Sequence, residues 1–342
     1  MHAGKRQLTV PAQVLARDGS PSVSTVEIDR PPAPEEPPRR SRLGMRQERL
    51  RTPLLLSLPA MVLLAVMLAY PLYRMFMLSL QDMKLRHLIS GLAPPFVGLA
   101  NYTKILDDPV FWEVVRRTAL FTTTAVVISV LTGIAIALLM QRVSTGVRIA
   151  MVTSMMFVWA MPQLVSAQTF KWMVDADFGV LNWLIDLIPG VDFAKHSWFA
   201  DPMQGWVVIT SLVVWGAIPF LAITMYAGLS QVPRELTEAA RIDGANAWQV
   251  FRNVTLPILR PLIVIVTTLS IIWDFQVFTQ IWVLRDSKPE NEYVTLALYS
   301  YIQAFGRSNY SLGAAIAVIT VLFMLGVMAF YVRQMFKIGD AD

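Results

Sequence analysis

The chain has no cysteine and only three histidines in 342 residues. Disulfides, thiolate nucleophiles and thiolate-held metals are therefore excluded, and His2, His87 and His196 are too dispersed for a metal-ligand set. No Gly-x-x-x-x-Gly-Lys-Ser/Thr loop is present to cradle nucleotide phosphates, and no catalytic constellation stands out. Charge is scarce as well. Asp, Glu, Lys and Arg make up 15 % of the residues, against about 25 % in an ordinary soluble domain. The chain reads as a non-enzyme that binds no metal or cofactor of its own.

What it has in abundance is apolar sequence, 55 % of the residues, with a mean hydropathy of +0.51. Crossing the hydrocarbon core as a helix takes about 20 apolar residues. Six windows reach that length: Leu54 to Leu80, Thr118 to Met140, Ile149 to Val174, Trp206 to Leu229, Pro261 to Leu284 and Leu312 to Val332. None shows the period-2 alternation of a membrane barrel strand. The expected fold is an all-α membrane protein of six transmembrane helices, residues 54–342, with both termini on one side.

Residues 1–53 differ in kind. Pro31, Pro32, Pro34, Pro37 and Pro38 interrupt a charged stretch that cannot bury a core, so the segment reads as a disordered tail. The first apolar run starts only at Leu54 and is long enough to remain a span rather than a cleaved signal. Arg39, Arg40, Arg42, Arg46, Arg49 and Arg51 place this tail in the cytoplasm by the positive-inside rule. Arg142 and Arg148 agree, as do the five Asp and one Lys of residues 175–205; Lys84, Arg86, Lys104, Arg116 and Arg117 run against it. The net charge of +5 is accounted for by cytoplasmic arginine facing anionic lipid headgroups, without nucleic acid.

Between the fourth and fifth windows lies a polar island, 230–260. Pro233 suits the first turn of a helix, and Glu235 and Glu238 favour its positive end. Ala239 and Ala240 favour helix and keep the surface low, and Gly244 is fit to end it in a left-handed turn. A second helical piece from Ala247 to Val254 then leads to Leu256 and Pro257. A short knob with one small-residue face suits a partner's groove.

At these residues the chain resembles the membrane subunits of ATP-binding-cassette importers. Their cytoplasmic signature is Glu-Ala-Ala, three residues, Gly, nine residues, Ile, one residue, Leu-Pro. Glu238, Ala239, Ala240, Gly244, Leu256 and Pro257 match it, Asp243 precedes the glycine, and Val254 stands for Ile. The likeness extends over about residues 50–340 to the carbohydrate-uptake branch of the maltose, trehalose and glycerol-phosphate type, as a first permease. It is carried by Asn101-Tyr102, Asp108-Pro109-Val110-Phe111-Trp112, Phe178-Gly179-Val180-Leu181-Asn182 and Leu312-Gly313-Ala314-Ala315. One departure is clear: where the family often has Thr-x-Gly-Gly-Pro, this chain has Arg285-Asp286-Ser287-Lys288-Pro289.

The resemblance implies a location in the bacterial cytoplasmic membrane. It also implies a second six-span permease, two ATPase subunits that carry ATP and Mg, and an extracytoplasmic solute-binding protein, in some cases a lipoprotein. By resemblance, Glu238, Ala239, Ala240 and Gly244 sit in the ATPase groove, the coupling helix of the complex.

For the solute path, Asp274 stands out as an ionisable residue inside a span. Phe275, Gln276, Phe278 and Gln280 follow it on what is expected to be the same helix, and Trp215 lies in the fourth span. Carboxylate and amide groups bind sugar hydroxyls while aromatic faces pack on a pyranose ring. Asp274 serves either such a solute or an interhelical hydrogen bond. No Lys or Arg lies at the centre of a span, which favours a neutral di- or oligosaccharide. The rival class is an ion-coupled secondary sugar transporter, which would use Asp274 but has no need of the Glu-Ala-Ala loop. Pro162 and Pro219 interrupt the third and fourth spans, as hinges or static bends. Gly133 with Ala137, and Gly313 with Ala317, are spaced for close helix packing.

Overall fold

The computed structural model describes residues 42–339, with side chains described over 55–334. Residues 1–41, most of the expected disordered tail, lie outside the described residues, as do 340–342. By packing, the chain divides into two units, 1–64 and 65–342. The described part of the first is the leading portion of one helix, α1 (Arg42–Ser79). Helix therefore occupies 42–53, where a disordered tail was expected to run to residue 53. The reason is local: residues 42–52 contain no proline and are rich in Arg, Leu, Met, Gln and Glu, all good helix formers.

The second unit continues α1 and adds α2 (Leu85–Ser90), α3 (Ala100–Leu106), α4 (Pro109–Arg142), α5 (Thr145–Ala160), α6 (Gln163–Met173) and α7 (Val180–Asp186). It goes on with α8 (Pro202–Leu229), α9 (Arg234–Ile242), α10 (Ala247–Val250), a π turn (Phe251–Thr255), α11 (Leu256–Phe275), α12 (Thr279–Leu284), α13 (Leu296–Tyr301), a second π turn (Ile302–Gly306) and α14 (Tyr310–Gly339). Among the described residues no strand forms; two isolated bridges, Gln81 to Phe96 and Lys84 to Asn309, tie loops together. Among the described residues five helical stretches are long and apolar enough to cross a membrane, or six if the bent pair of α5 with α6 is one span.

Two long core helices begin alike. Asp108 accepts from the Val110 amide at 2.9 Å with Pro109 at the first helical position. Asp201 accepts from Met203 and Gln204 at 2.8 and 3.0 Å ahead of Pro202. In both cases the carboxylate satisfies amides that the helix leaves free, and the proline fills a position that needs no donor. These helices, α4 and α8, pack along their length with α11 against them. One buried cluster gathers Phe121, Ile209, Phe275, Ile281 and Leu298; a second, nearer residues 230–260, gathers Ala137, Leu221, Met225, Leu259 and Val266. A Cβ on Gly133 would meet the Leu221 Cβ at 2.7 Å, and one on Gly313 the Ala304 Cβ at 2.5 Å. Both glycines are thus contact points, as their spacing predicts.

By contrast α5 buries no residue, and Val66, Met67, Leu68, Tyr70, Leu72 and Tyr73 of α1 are exposed. Lipid is the solvent for such surfaces.

Two expectations about spans need correction. The third, expected as one span from Ile149 to Val174 with a hinge or static bend at Pro162, is two helices meeting at 100°. Met161 precedes Pro162 and takes an extended conformation (ψ 128°), which the proline ring imposes on its predecessor, and the Pro162 carbonyl restarts the chain by accepting from Val165 and Ser166. Pro219 leaves α8 continuous. The helical stretch that carries the fifth span runs on from Ala247, ahead of the expected start at Pro261, and ends at Phe275 rather than Leu284. Residues 276–278 break it, with the Val277 carbonyl accepting from the Thr295 hydroxyl at 3.2 Å. The next helix, α12, then packs on α6.

Beyond α12 the departure at residues 285–289 acquires a geometry. Asp286 and Ser287 have φ of 52° and 61°. The Ser287 amide donates to the Trp282 carbonyl at 2.8 Å and the Asp286 amide to Val283 at 3.3 Å. This is the left-handed helix ending that glycine usually provides. Around it, Arg285 Nε donates to Glu290 Oε2 at 2.7 Å and the guanidinium lies 4.4 Å from the Phe199 ring centre; Lys171 pairs with Asp286. The Arg285 bond holds the Glu290 carboxyl below the usual glutamate range. Ser287 is exposed, with its left-handed backbone costing roughly 1–2 kcal/mol, less the greater unfolded freedom of glycine. Ser287→Gly is expected to stabilise the purified chain by about 0.5–1 kcal/mol, read from unfolding in detergent. An unchanged or lowered midpoint would contradict this.

Candidate functional site: an exposed helical loop and a buried carboxylate

Residues 230–260 form a helix, a turn and a second helix. Pro233 is the N-cap of α9, and Glu235 and Arg241 complement the dipole at its two ends. The exit is a complete Schellman motif: the Gly244 amide donates to Arg241 at 3.1 Å and the Ala245 amide to Ala240 at 3.0 Å, with Gly244 at φ 85°. Asp243 is the C-cap. Nothing lies within 4 Å of where a Gly244 Cβ would stand, so within this chain the left-handed backbone alone calls for glycine here.

Immediately afterwards Asn246 and Gln249 form a reciprocal capping box, Asn246 Oδ1 accepting from the Gln249 amide at 2.9 Å and Gln249 Oε1 from the Asn246 amide at 2.8 Å. Its Asn-x-x-Gln spacing was legible in the sequence but was not used. The π turn then carries the chain without a break into Leu256 and Pro257, the first residues of α11.

Glu238, Ala239, Asp243, Gly244 and Pro257 are exposed, and Ala240 and Leu256 half-buried. Leu236, Ile242 and Trp248 are exposed too, Ile242 to 86 %. A polar loop that leaves three large apolar side chains uncovered has the makings of a protein contact.

The second candidate group is divided by the structure rather than gathered. Asp274 is 5 % exposed, and its Oδ2 has no hydrogen-bond partner. Among the described residues the other buried, unpartnered side-chain oxygens are those of Thr122 and Ser129, both on α4, which packs against α11. Phe275 is also buried and stacks on Phe323 of α14 at 4.8 Å, so it joins helices. Because α11 ends at Phe275, Gln276, Phe278 and Gln280 are not on Asp274's helix as expected. Phe278 stacks on Trp282 and meets Tyr301 edge-on, while Trp215 packs on Phe170. Trp273 and Gln276 are exposed, with Phe220 of α8 edge-on to Trp273 at 5.2 Å. Phe220 was not singled out from sequence, since an aromatic in an apolar span carries no signal until its neighbour is known.

The described residues form a multispan helical bundle with a capped helix–turn–helix leading into one of its spans, an architecture that a membrane-embedded permease can use. The chain belongs to the family of binding-protein-dependent transport system inner membrane components, matched over residues 129–338. It is 35 % identical over 323 residues to the diacetylchitobiose uptake system permease protein DasB of Streptomyces coelicolor, covering 92 % of this chain and 98 % of that one. It is 32 % identical to the sulfoquinovosyl glycerol transport system permease protein SmoG of Agrobacterium fabrum, over 84 % of this chain and 90 % of that one. Its fold is similar to a chain of a bacterial ABC transporter that imports the acidic polysaccharide alginate. The TM-score is 0.71 at 19 % identity, covering 87 % of this chain and 99 % of that one.

Placing alanine at Gly244 adds no clash and costs only the left-handed backbone, roughly 1–2 kcal/mol. Gly244→Ala is expected to speed amide hydrogen exchange across residues 240–246 while leaving α4 unchanged. Equal exchange in the two proteins would show that the Schellman turn does not hold the loop.

Proposed function

We propose that this chain is one permease of an ATP-driven importer that moves a sugar, a di- or oligosaccharide, from an extracytoplasmic binding protein into the cytoplasm. The observation that carries the reading is the capped, exposed helix–turn–helix, whose Glu238, Ala239, Ala240 and Gly244 match a coupling signature in residue type and spacing. In this reading ATP and Mg belong to two partner ATPase subunits, and Leu236, Ile242 and Trp248 are the apolar side chains their groove covers. Two grooves and one such loop per chain call for a second permease. Both termini then lie in the cytoplasm, on the side of residues 230–260.

No bond is made or broken in this subunit. ATP-driven closure of the partner ATPases moves α9, and the turn from α10 into α11 passes that movement to the span bearing Asp274. For the loop to bias the bundle, the ATPases must contact it differently in the inward- and outward-facing states. The solute path runs along the exposed face of Trp273, Gln276 and Phe220, where aromatic faces and an amide suit a sugar. Asp274 lies behind it. Support for a sugar comes from relatives named for diacetylchitobiose and for trehalose/maltose transport.

The buried, unpartnered Asp274 is the one observation that favours ion-coupled transport instead. The two readings separate in one assay, ATP hydrolysis by the chain co-purified with its partner subunits in lipid. Loaded binding protein is expected to stimulate hydrolysis severalfold, and Glu238→Lys to abolish the stimulation. Undiminished sugar uptake by Glu238→Lys, or uptake that follows an ion gradient without ATP, would overturn the importer reading.

A further inference from the structure

Behind α9, away from Leu236 and Ile242, lies a cavity of about 530 Å³ lined by Arg142, Arg148, Arg234 and Arg241. Arg142 is the last residue of α4 and Arg148 lies in the first turn of α5, and Arg234 and Arg241 come from one face of α9. No carboxylate lines it. Ion pairs among the described residues all lie elsewhere, so none of the four guanidiniums has a carboxylate within 4 Å. Glu238, one turn from Arg234, is exposed and outside the lining. Arg148 is partly committed, donating to the Met140 and Val143 carbonyls at 2.9 and 3.2 Å and lying 5.4 Å from the Tyr226 ring centre.

Four like charges around one cavity repel unless an anion joins them. Guanidinium forks match the oxygens of a phosphate in particular. The remaining walls are amphipathic, with Leu138, Leu229 and Val232 beside Gln141 and Thr237. The cavity also sits where α4 and α8, 34 and 28 residues long, come to their ends, and a helix longer than the roughly 20 residues that cross the hydrocarbon core has its ends among the headgroups. Basic pockets between helices at that depth are where anionic headgroups bind.

We propose that this cavity is a binding site for a phosphate group, and that its position and apolar walls make an anionic phospholipid headgroup the source. The bound phosphate bridges Arg142 and Arg148 on the bundle to Arg234 and Arg241 on α9. It thereby ties the exposed helix to the end of α4. The consequence for coupling rests on the reading of α9 as the ATPase contact; the binding itself does not.

The test uses the chain assembled with its partner subunits, in bilayers of phosphatidylcholine with about one-quarter phosphatidylglycerol, and measures lipid retained through detergent washing. Phosphatidylglycerol is expected to be retained in preference to phosphatidylcholine. Arg142→Gln, which leaves α9 untouched, should weaken retention about fivefold, and Arg142→Gln with Arg241→Gln about 25-fold, from about 1 kcal/mol per basic side chain. Arg252→Gln removes an exposed charge from the neighbouring π turn without reaching the cavity, and should change retention little. Equal retention by wild type and both cavity variants, or an equal loss in Arg252→Gln, would overturn the site. Competition by inorganic phosphate, lost in the same variants, with no preference for phosphatidylglycerol, would keep the phosphate site and assign it a soluble source. Retention is read without ATP hydrolysis, so failure of the α9 reading leaves this result standing.

Discussion

At membrane depth a backbone N–H or C=O has no water to turn to, and the whole chain is arranged around that constraint. The long helices satisfy their own amides, and at several places among the described residues where helix starts or stops a substitute is supplied. Asp108 and Asp201 receive the first free amides of α4 and α8. At the broken end of α11 the Val277 carbonyl is met by Thr295. Two Schellman turns close α9 and α12. The second of these uses Asp286 and Ser287 where glycine is the customary choice, so the turn survives the sequence departure at a cost in backbone strain.

The same constraint separates what could be read from sequence from what could not. Six apolar windows announce six spans, because hydropathy over about 20 residues is a property of composition alone. Where a span bends is not. Pro162 and Pro219 look alike in sequence, yet one sits at a 100° junction and the other within a continuous 28-residue helix. The difference lies in whether neighbours allow the chain to leave the helix, and α6 does leave to pack on α12. The break after Phe275 was likewise hidden, since Gln276 and Phe278 are no helix breakers. It scatters residues that a single helix would have aligned: Asp274 and Phe275 end α11, Gln276 and Phe278 lie in the break, and Gln280 is on α12. Residues 42–52 resemble a tail only by their nearness to the prolines upstream; they contain no proline themselves, and helix runs through them to Pro53.

The loop was legible in more detail than the bundle. Its punctuation is local: proline at the entry, glycine at the exit, then an Asn-x-x-Gln box, and each acts within a turn of its own position. What the sequence concealed is that α9 has two faces with different business. Leu236 and Ile242 point outward uncovered, while Arg234 and Arg241 turn towards Arg142 and Arg148 at the end of the bundle. If the proposed phosphate bridges its back and the proposed ATPase groove covers its front, α9 is a part that transmits force in both directions.

The absence of cysteine makes the central claim directly accessible. A single cysteine introduced as Ala239→Cys is the only thiol in this chain, and it stands on the exposed front of α9. In the assembled complex, with single cysteines placed along the ATPase groove, oxidative cross-linking from Ala239→Cys is predicted to join the two subunits, with a yield that changes when ATP binds. Failure to cross-link at any groove position, in a complex that still hydrolyses ATP and transports, would contradict the account.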